Sequence, residues 1–399
     1  MSMEWIKGAR ERYIAANALG LRWMLDRPLL DGRWINTKVN SITTADYGPQ
    51  DGLRGPGYIY GWIQGRALEA MVTHSRAFAG IDDALSQRLE AAARALYAEL
   101  AAEQAHDGHV YFCYGADRMP ILPDGTPQCA AGDIYSYSDA FAAKGLVAAA
   151  AAFRLPGLDG HLDYLQRVVA AIPAGRFQMN EKVPLGDAAL SAQAADFGPR
   201  MILLGAGEML QRFGLDAHGN YLTVFTQHIL EHHADRASGL IRDVPESDAC
   251  NIGHGIEFVG FALAALPPTT PSHLVERLEA ILQASFRAGL RLPGLVLSVS
   301  AASGAVLDAK RPWWSLPETI RAAALAYERT GNPATLTIWR QADTAFFGNY
   351  WRSDRGLAHQ TMTACGPLDF VPATPDLDPG YHTGLSLLAA IKVADRLNA

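Results

Sequence analysis

Apolar residues recur at every third or fourth position along nearly the whole chain, the spacing that lines one face of an α-helix. In the stretch 82–105, Leu85, Leu89, Ala92, Leu96 and Leu100 keep this period, and Asp82 stands where an N-cap side chain accepts from the first free backbone N–H groups. The same reading predicts twelve helices, over 4–27, 58–79, 82–105, 135–154, 160–172, 187–213, 216–234, 254–266, 271–288, 313–330, 333–350 and 381–396. Thr270-Pro271 and Asn332-Pro333 each set a capping side chain before a helix-starting proline, and Gly214, Gly289 and Gly331 follow helix ends. Short turns of this kind join helices in pairs.

Longer connections carry turn chemistry at Asp107-Gly108, Asp235 to Gly239, Ser303-Gly304 and Asp354-Arg355-Gly356, which predicts short β-hairpins. Six helix pairs with a weak recurrent plan predict an all-α fold, an (α/α)6 toroid or barrel of twelve helices. In it, inner helices would be apolar nearly all round, outer helices amphipathic, and the hairpins gathered on one rim. No Pro/Ser-rich linker interrupts the pattern, so residues 1–399 are expected to form a single (α/α)6-barrel catalytic domain.

Composition agrees with a packed core: 49% of the 399 residues are hydrophobic and 19% charged. The formal net charge of -7, with no basic run, argues against nucleic acid or an anionic membrane surface and for a small polar ligand. Met1 to Lys7 lacks a charged-then-apolar leader and no apolar run is long enough to span a bilayer, so a cytoplasmic protein is expected. The four cysteines, Cys113, Cys129, Cys250 and Cys365, show no C-x-x-C spacing and are read as reduced packing residues, with Cys250 and Cys365 close in sequence to the histidine motifs below.

Candidate chemistry collects at helix starts. His254, in Asn251-Ile252-Gly253-His254-Gly255-Ile256-Glu257, and His382, in Gly380-Tyr381-His382, each open an apolar helix. An imidazole takes and returns protons near neutral pH, so two such rings on one pocket would make an acid–base pair. Glu257, three residues after His254, can fix a ring tautomer. Trp62 and Arg66 share a helix face in Tyr60-Gly61-Trp62-Ile63-Gln64-Gly65-Arg66, as do Trp314 and Glu318 beside Trp313; flat rings suit sugar C–H groups, and a guanidinium suits an oxygen gaining negative charge. Asp139 opens another apolar helix after Tyr137. Spacing alone leaves the packing alternatives open: a snorkelling arginine, core aromatics, a satisfied buried histidine with a capping glutamate. His228-Ile229-Leu230-Glu231-His232 fits H-x-x-E-H but sits in a charged, outward-facing helix and is not taken as a zinc site. No phosphate loop or dinucleotide fingerprint occurs, and neither a metal nor a cofactor is expected.

Taken together, the motifs resemble those of the N-acylglucosamine 2-epimerase superfamily of sugar epimerases and aldose–ketose isomerases, from about residue 57 onward. Trp62-Ile63-Gln64-Gly65-Arg66 resembles W-x-Q-x-R, Tyr137 to Phe141 resembles Y-S-D-x-F, Asn251 to Glu257 resembles N-P-G-H-x-x-E, Trp313 to Thr319 resembles W-W-x-x-x-E-T, and Tyr381-His382 resembles a final F/Y-H. The resemblance implies that His254 and His382 are the acid–base pair, that Arg66 holds the substrate carbonyl oxygen, and that Trp62, Gln64, Tyr137, Asp139, Glu257, Trp313, Trp314 and Glu318 line or support the substrate site. It also implies a homodimer and allows a nucleotide activator. The chain departs from the pattern at Pro199-Arg200-Met201, where a third histidine is common, at Leu385, where an arginine is usual, and over Asn36 to Tyr58, expected to form a lid.

The expected activity is proton transfer at C2 of an open-chain aldose or N-acyl-hexosamine, through an enolate or enediol, giving epimerisation or isomerisation. Two other readings stand beside it. A glycoside or unsaturated-uronide hydrolase would use Asp139, Glu257 or Glu318, and a non-catalytic relative would only bind sugar.

Overall fold

The computed structural model describes residues 2–215, 220–371 and 374–398. Helices account for most of them, and the chain divides into two compact units. One unit comprises Met1–Gly20, Ala195–Pro372 and His382–Ala399; the other comprises Leu21–Ala194 and Ala373–Tyr381. In chain order the helices are α1 (Ser2–Leu25), α2 (Gly61–Phe78), α3 (Asp83–Asp107), α4 (Tyr137–Phe153), α5 (Leu158–Ala171), α6 (Asp187–Ala192), α7 (Gly198–Arg212), α8 (Tyr221–His232), α9 (Ile252–Ala265), α10 (Ser272–Gly289), α11 (Ser315–Thr330), α12 (Pro333–Ala345) and α13 (Ser386–Asn398).

The unit containing Leu21–Ala194 is built on α2 and α4, which are buried almost all round. Two glycines bring their backbones together: a Cβ on Gly65 would stand 2.7 Å from the Phe141 carbonyl carbon, and one on Gly145 would stand 2.8 Å from the Gly65 carbonyl oxygen. The alanines of Ala148-Ala149-Ala150 extend the close-packed face of α4. Around this pair, α3 is amphipathic as predicted, burying Leu85, Leu89, Ala93, Leu96 and Leu100 and starting at Asp82, whose side chain accepts from Leu85 N at 3.1 Å. The core takes Ala93 rather than Ala92. Tyr135–Ser136 pairs in parallel with Phe177–Gln178. A buried ion pair joins distant segments of this unit, Lys38 Nζ to Asp376 Oδ1 at 2.7 Å.

In the other unit α7, α9, α11 and α13 carry the core, with α8, α10 and α12 presenting one apolar face each. Residues of α1 join it through the Tyr13 hydroxyl, which accepts from Trp339 Nε1 at 2.9 Å, and Arg12, which bonds Asp343 at 2.7 Å. Antiparallel strand pairs connect the helices. Ser303-Gly304 turns between Ser298–Ser300 and Val306–Asp308, and Asp354 to Gly356 turns between Trp351–Arg352 and Leu357–Ala358, as the turn chemistry predicts.

Several expectations are corrected. Asp107-Gly108 is no hairpin: Gly108, at φ 93°, caps α3 and donates to the Gln104 carbonyl. The helix expected over 187–213 is two, α6 and α7, because the chain runs extended from Gln193 and restarts where Asp196 accepts from Gly198 N at 2.6 Å. Thr270 does not cap α10; its hydroxyl donates to the Pro267 carbonyl at 2.6 Å. The last turns expected over 333–350 and the first over 381–396 are π turns, Phe346–Tyr350 and Tyr381–Leu385. Residues 216–219, the predicted start of the 216–234 helix, lie outside the described residues.

Candidate active site

α9 begins on a cap that its sequence supplies, Asn251 Oδ1 accepting from His254 N at 3.1 Å. The preceding residues, Ala249–Asn251, are held as a strand against Ser298–Ser300, which fixes where the helix starts. Gly253 lies under the Trp314 indole, and a Cβ there would stand 2.3 Å from the ring. The half-buried His254 ring therefore packs on Trp314, centroids 5.2 Å apart and planes tilted by 32°, with the Phe197 ring perpendicular at 6.3 Å.

The same indole meets His382, at 5.7 Å and 35°, while Trp313 approaches that imidazole edge-on at 6.2 Å. Two histidines distant in sequence thus share one indole. His382 sits in the π turn Tyr381–Leu385, a wider helical turn of the kind often found at functional positions. Next to it, Thr383 Oγ1 accepts from Trp313 Nε1 at 3.2 Å, tying the turn to the strand-to-helix junction before α11.

Carboxylates orient the His382 ring. Its Nδ1 lies 3.1 Å from Glu318 Oε1 and 3.8 Å from Glu257 Oε1, and the other Glu318 oxygen forms an ion pair with Arg321 Nη1 at 3.1 Å. All four side chains are buried. Burial pushes the Glu318 carboxyl up, but the Arg321 guanidinium and the His382 hydrogen bond outweigh it and hold the group below its ordinary value. An ionised carboxylate only accepts, so in the neutral form of the ring Nδ1 carries the proton and the lone pair lies on Nε2. Among the described residues, Glu257, Glu318 and His382 are the group of three whose donor atoms converge, within 4.8 Å. With Arg321 paired to one Glu318 oxygen and Nδ1 bonded to the other, these side chains form a buried acid–base cluster. The His228-Glu231-His232 run forms no such group, although the two histidine rings lie 4.6 Å apart on α8.

The other unit holds the remaining predicted residues. The Arg66 guanidinium lies 4.2 Å from the Phe141 ring centroid, 4.9 Å from Trp62 and 5.2 Å from Tyr381, and Tyr137 stacks on Trp62 at 5.5 Å. Gln64 is committed to the backbone: its amide accepts from Ile35 N and donates to Ile35 O, both at 2.9 Å. Asp139 closes a capping box with Ser136 and also accepts from Val110 N at 3.1 Å and the Tyr164 hydroxyl at 2.5 Å.

Sequence reasoning missed Lys144, wholly buried, whose Nζ donates to the Tyr381 hydroxyl at 2.5 Å and pairs with Glu69 at 3.1 Å. Burial lowers its proton affinity, but Glu69 and Tyr381 more than restore it. It missed Arg321 as well. Its place three residues after Glu318 offered the only signal, since an (i, i+3) pair shares a helix face. Cys250 is a buried strand residue opposite Val299. Among the described residues no helix is long and apolar enough to cross a membrane.

No family model and no curated protein sequence matches the chain. Solved structures do. Cellobiose 2-epimerase from Spirochaeta thermophila superimposes with a TM-score of 0.73 at 16% identity, covering 99% of both chains. A D-mannose isomerase gives 0.72 at 12% identity over 96% of this chain and 97% of its own, and cellobiose 2-epimerase from Bacillus thermoamylovorans gives 0.64 at 18% over 84% and 88%. At these identities the likeness shows the fold, which is the all-α (α/α)6 toroid expected from the helix pairing. In fold, the chain is similar to these two cellobiose 2-epimerases and the D-mannose isomerase.

Proposed function

We propose that the protein is a sugar epimerase or aldose–ketose isomerase that moves protons at C2 of an open-chain aldose or N-acyl-hexosamine, with His254 and His382 as the proton carriers. The observation that carries this reading is the packing of both imidazoles on Trp314, at 5.2 and 5.7 Å, with His382 held by Glu318 through Nδ1. The sugar carbonyl at C1 acidifies the C2 proton. One histidine removes it to give an enolate, and the other returns a proton, to the opposite face of C2 for epimerisation or to C1 for isomerisation. Arg66 is assigned the developing enolate oxygen, on the strength of its motif. The cellobiose epimerases and the mannose isomerase that share the fold act on sugars by name, which supports the same substrate class here.

The test is turnover in deuterium oxide with glucose, mannose, their 2-acetamido counterparts and cellobiose. Deuterium at C2 or C1 of the product, lost in His254→Asn and His382→Asn variants, is the expected outcome. Product formed without label, or full activity in either variant, overturns the reading.

A further inference from the structure

Arg321 has no part in the motifs, yet its surroundings hold it in one place. Its methylene chain lies on Gly260 of α9, where a Cβ would come to 3.3 Å of Arg321 Cδ, and its guanidinium sits 4.8 Å over the Phe261 ring. Nη1 then forms an ion pair with Glu318 Oε2 at 3.1 Å one helical turn away, with Oε1 aimed at His382 Nδ1, also at 3.1 Å. We propose that Arg321 is a positioning residue that keeps Glu318 an acceptor and so dictates which nitrogen of His382 carries the mobile proton.

The argument is one of charge in a closed space. The imidazole faces Glu257 from α9 at 3.8 Å, Glu318 from α11 at 3.1 Å and the two tryptophans; Arg321 is the cation paired with Glu318, and its field also reaches Glu208 on α7. A buried carboxylate deprived of its cation is costly, and protonation relieves the cost. A protonated Glu318 would donate its O–H to Nδ1, move the ring proton to Nε2 and remove the lone pair that abstracts the substrate proton. The tryptophan contacts would survive while the chemistry stopped, because orientation and tautomer are separate requirements.

This inference rests on the proton-carrying role assigned to His382, and the experiment separates the two. Full-length protein labelled with 15N at histidine is observed through the ring nitrogens at a pH where His382 is neutral, its signals identified by their loss in His382→Asn. The unsubstituted protein is expected to show Nδ1–H. Arg321→Met is expected to convert His382 to Nε2–H and to lower kcat roughly 10- to 100-fold, with KM changing less than about threefold. Arg321→Lys is expected to restore the tautomer and most of the rate. Should the Met variant not fold, Arg321→Gln is read in the same way. An unchanged tautomer in the neutral variants overturns the proposal. A changed tautomer in a protein whose His382→Asn variant still turns over leaves Arg321 as positioned and refutes instead the role of His382.

Discussion

Glu181 offers the sharpest thermodynamic test. Its side chain is 5% exposed; burial pushes its carboxyl up to about 8, with Asp139 adding to the rise and hydrogen bonds from Ser138 and Ser136 opposing it. The ordinary value is 4.5, so the folded protein holds this proton over a range in which the unfolded chain has released it. The sign follows from linkage: stability from this group is fully present below about pH 4.5 and drains away as pH rises toward about 8. At about 1.4 kcal/mol for each tenfold change in proton affinity, the loss amounts to roughly 5 kcal/mol. Glu181→Gln keeps an oxygen for Ser138 N, which bonds Oε1 at 3.2 Å, and removes the titration. Urea unfolding at pH 5 and pH 8.5 is the assay. Other groups in the same window, such as Asp243, which burial pushes up to about 7, contribute to both proteins and cancel in the comparison. The substituted protein should gain several kcal/mol on the parent between the two pH values. A relative change below about 1 kcal/mol would refute the linkage argument.

Gly253→Ala places a methyl 2.3 Å from the Trp314 ring, so the indole must leave its place against the two histidines. Overpacking of this kind costs about 1–3 kcal/mol, and kcat should fall with it; thermal unfolding and steady-state rates measure both, and wild-type kcat would contradict the packing argument. Gln64→Ala strands the Ile35 N–H and carbonyl in a buried setting and should cost about 1–3 kcal/mol in urea unfolding while leaving KM within about threefold. A tenfold rise in KM at unchanged stability would instead return Gln64 to the substrate.

Which features the sequence disclosed depends on the length scale that sets them. Helix α3 and its Asp82 cap, the αL glycine after α11 and the Asn251 cap of α9 are decided within one or two turns, and periodicity and capping chemistry locate them within a few residues. The break between α6 and α7 escaped because Ala192 to Phe197 keeps helical hydrophobicity while Asp196, a short-range cap, restarts the chain. The candidate site divides in the same manner. His254, Trp314, Glu318 and His382 were recognisable as residues, but the use of Glu318 on His382 is a contact between α11 and a turn many residues later, which no local period encodes. Gln64 and Asp139 show the converse. Their motifs were readable in the sequence, but the partners of their polar atoms, Ile35, Ser136, Val110 and Tyr164, were not. Arg321 and Lys144, on helices, and Glu181, in a turn, were invisible because a charged residue reads as solvated until the packing around it is known.

Two lysines in the core of one unit wait on residues synthesised long after them. Lys38 meets Asp376, and Lys144 gives a hydrogen bond to the Tyr381 hydroxyl, both deep among side chains translated long before. Once residue 194 has been added, nearly all of this unit has been synthesised, yet Lys38 still lacks its counter-ion Asp376. At about 5–20 residues per second, that leaves on the order of ten seconds or more before the segment carrying Asp376 is made. Premature closure is disfavoured by the cost of an unneutralised interior charge. Closure of this unit is thus expected to wait on the segment that carries Asp376.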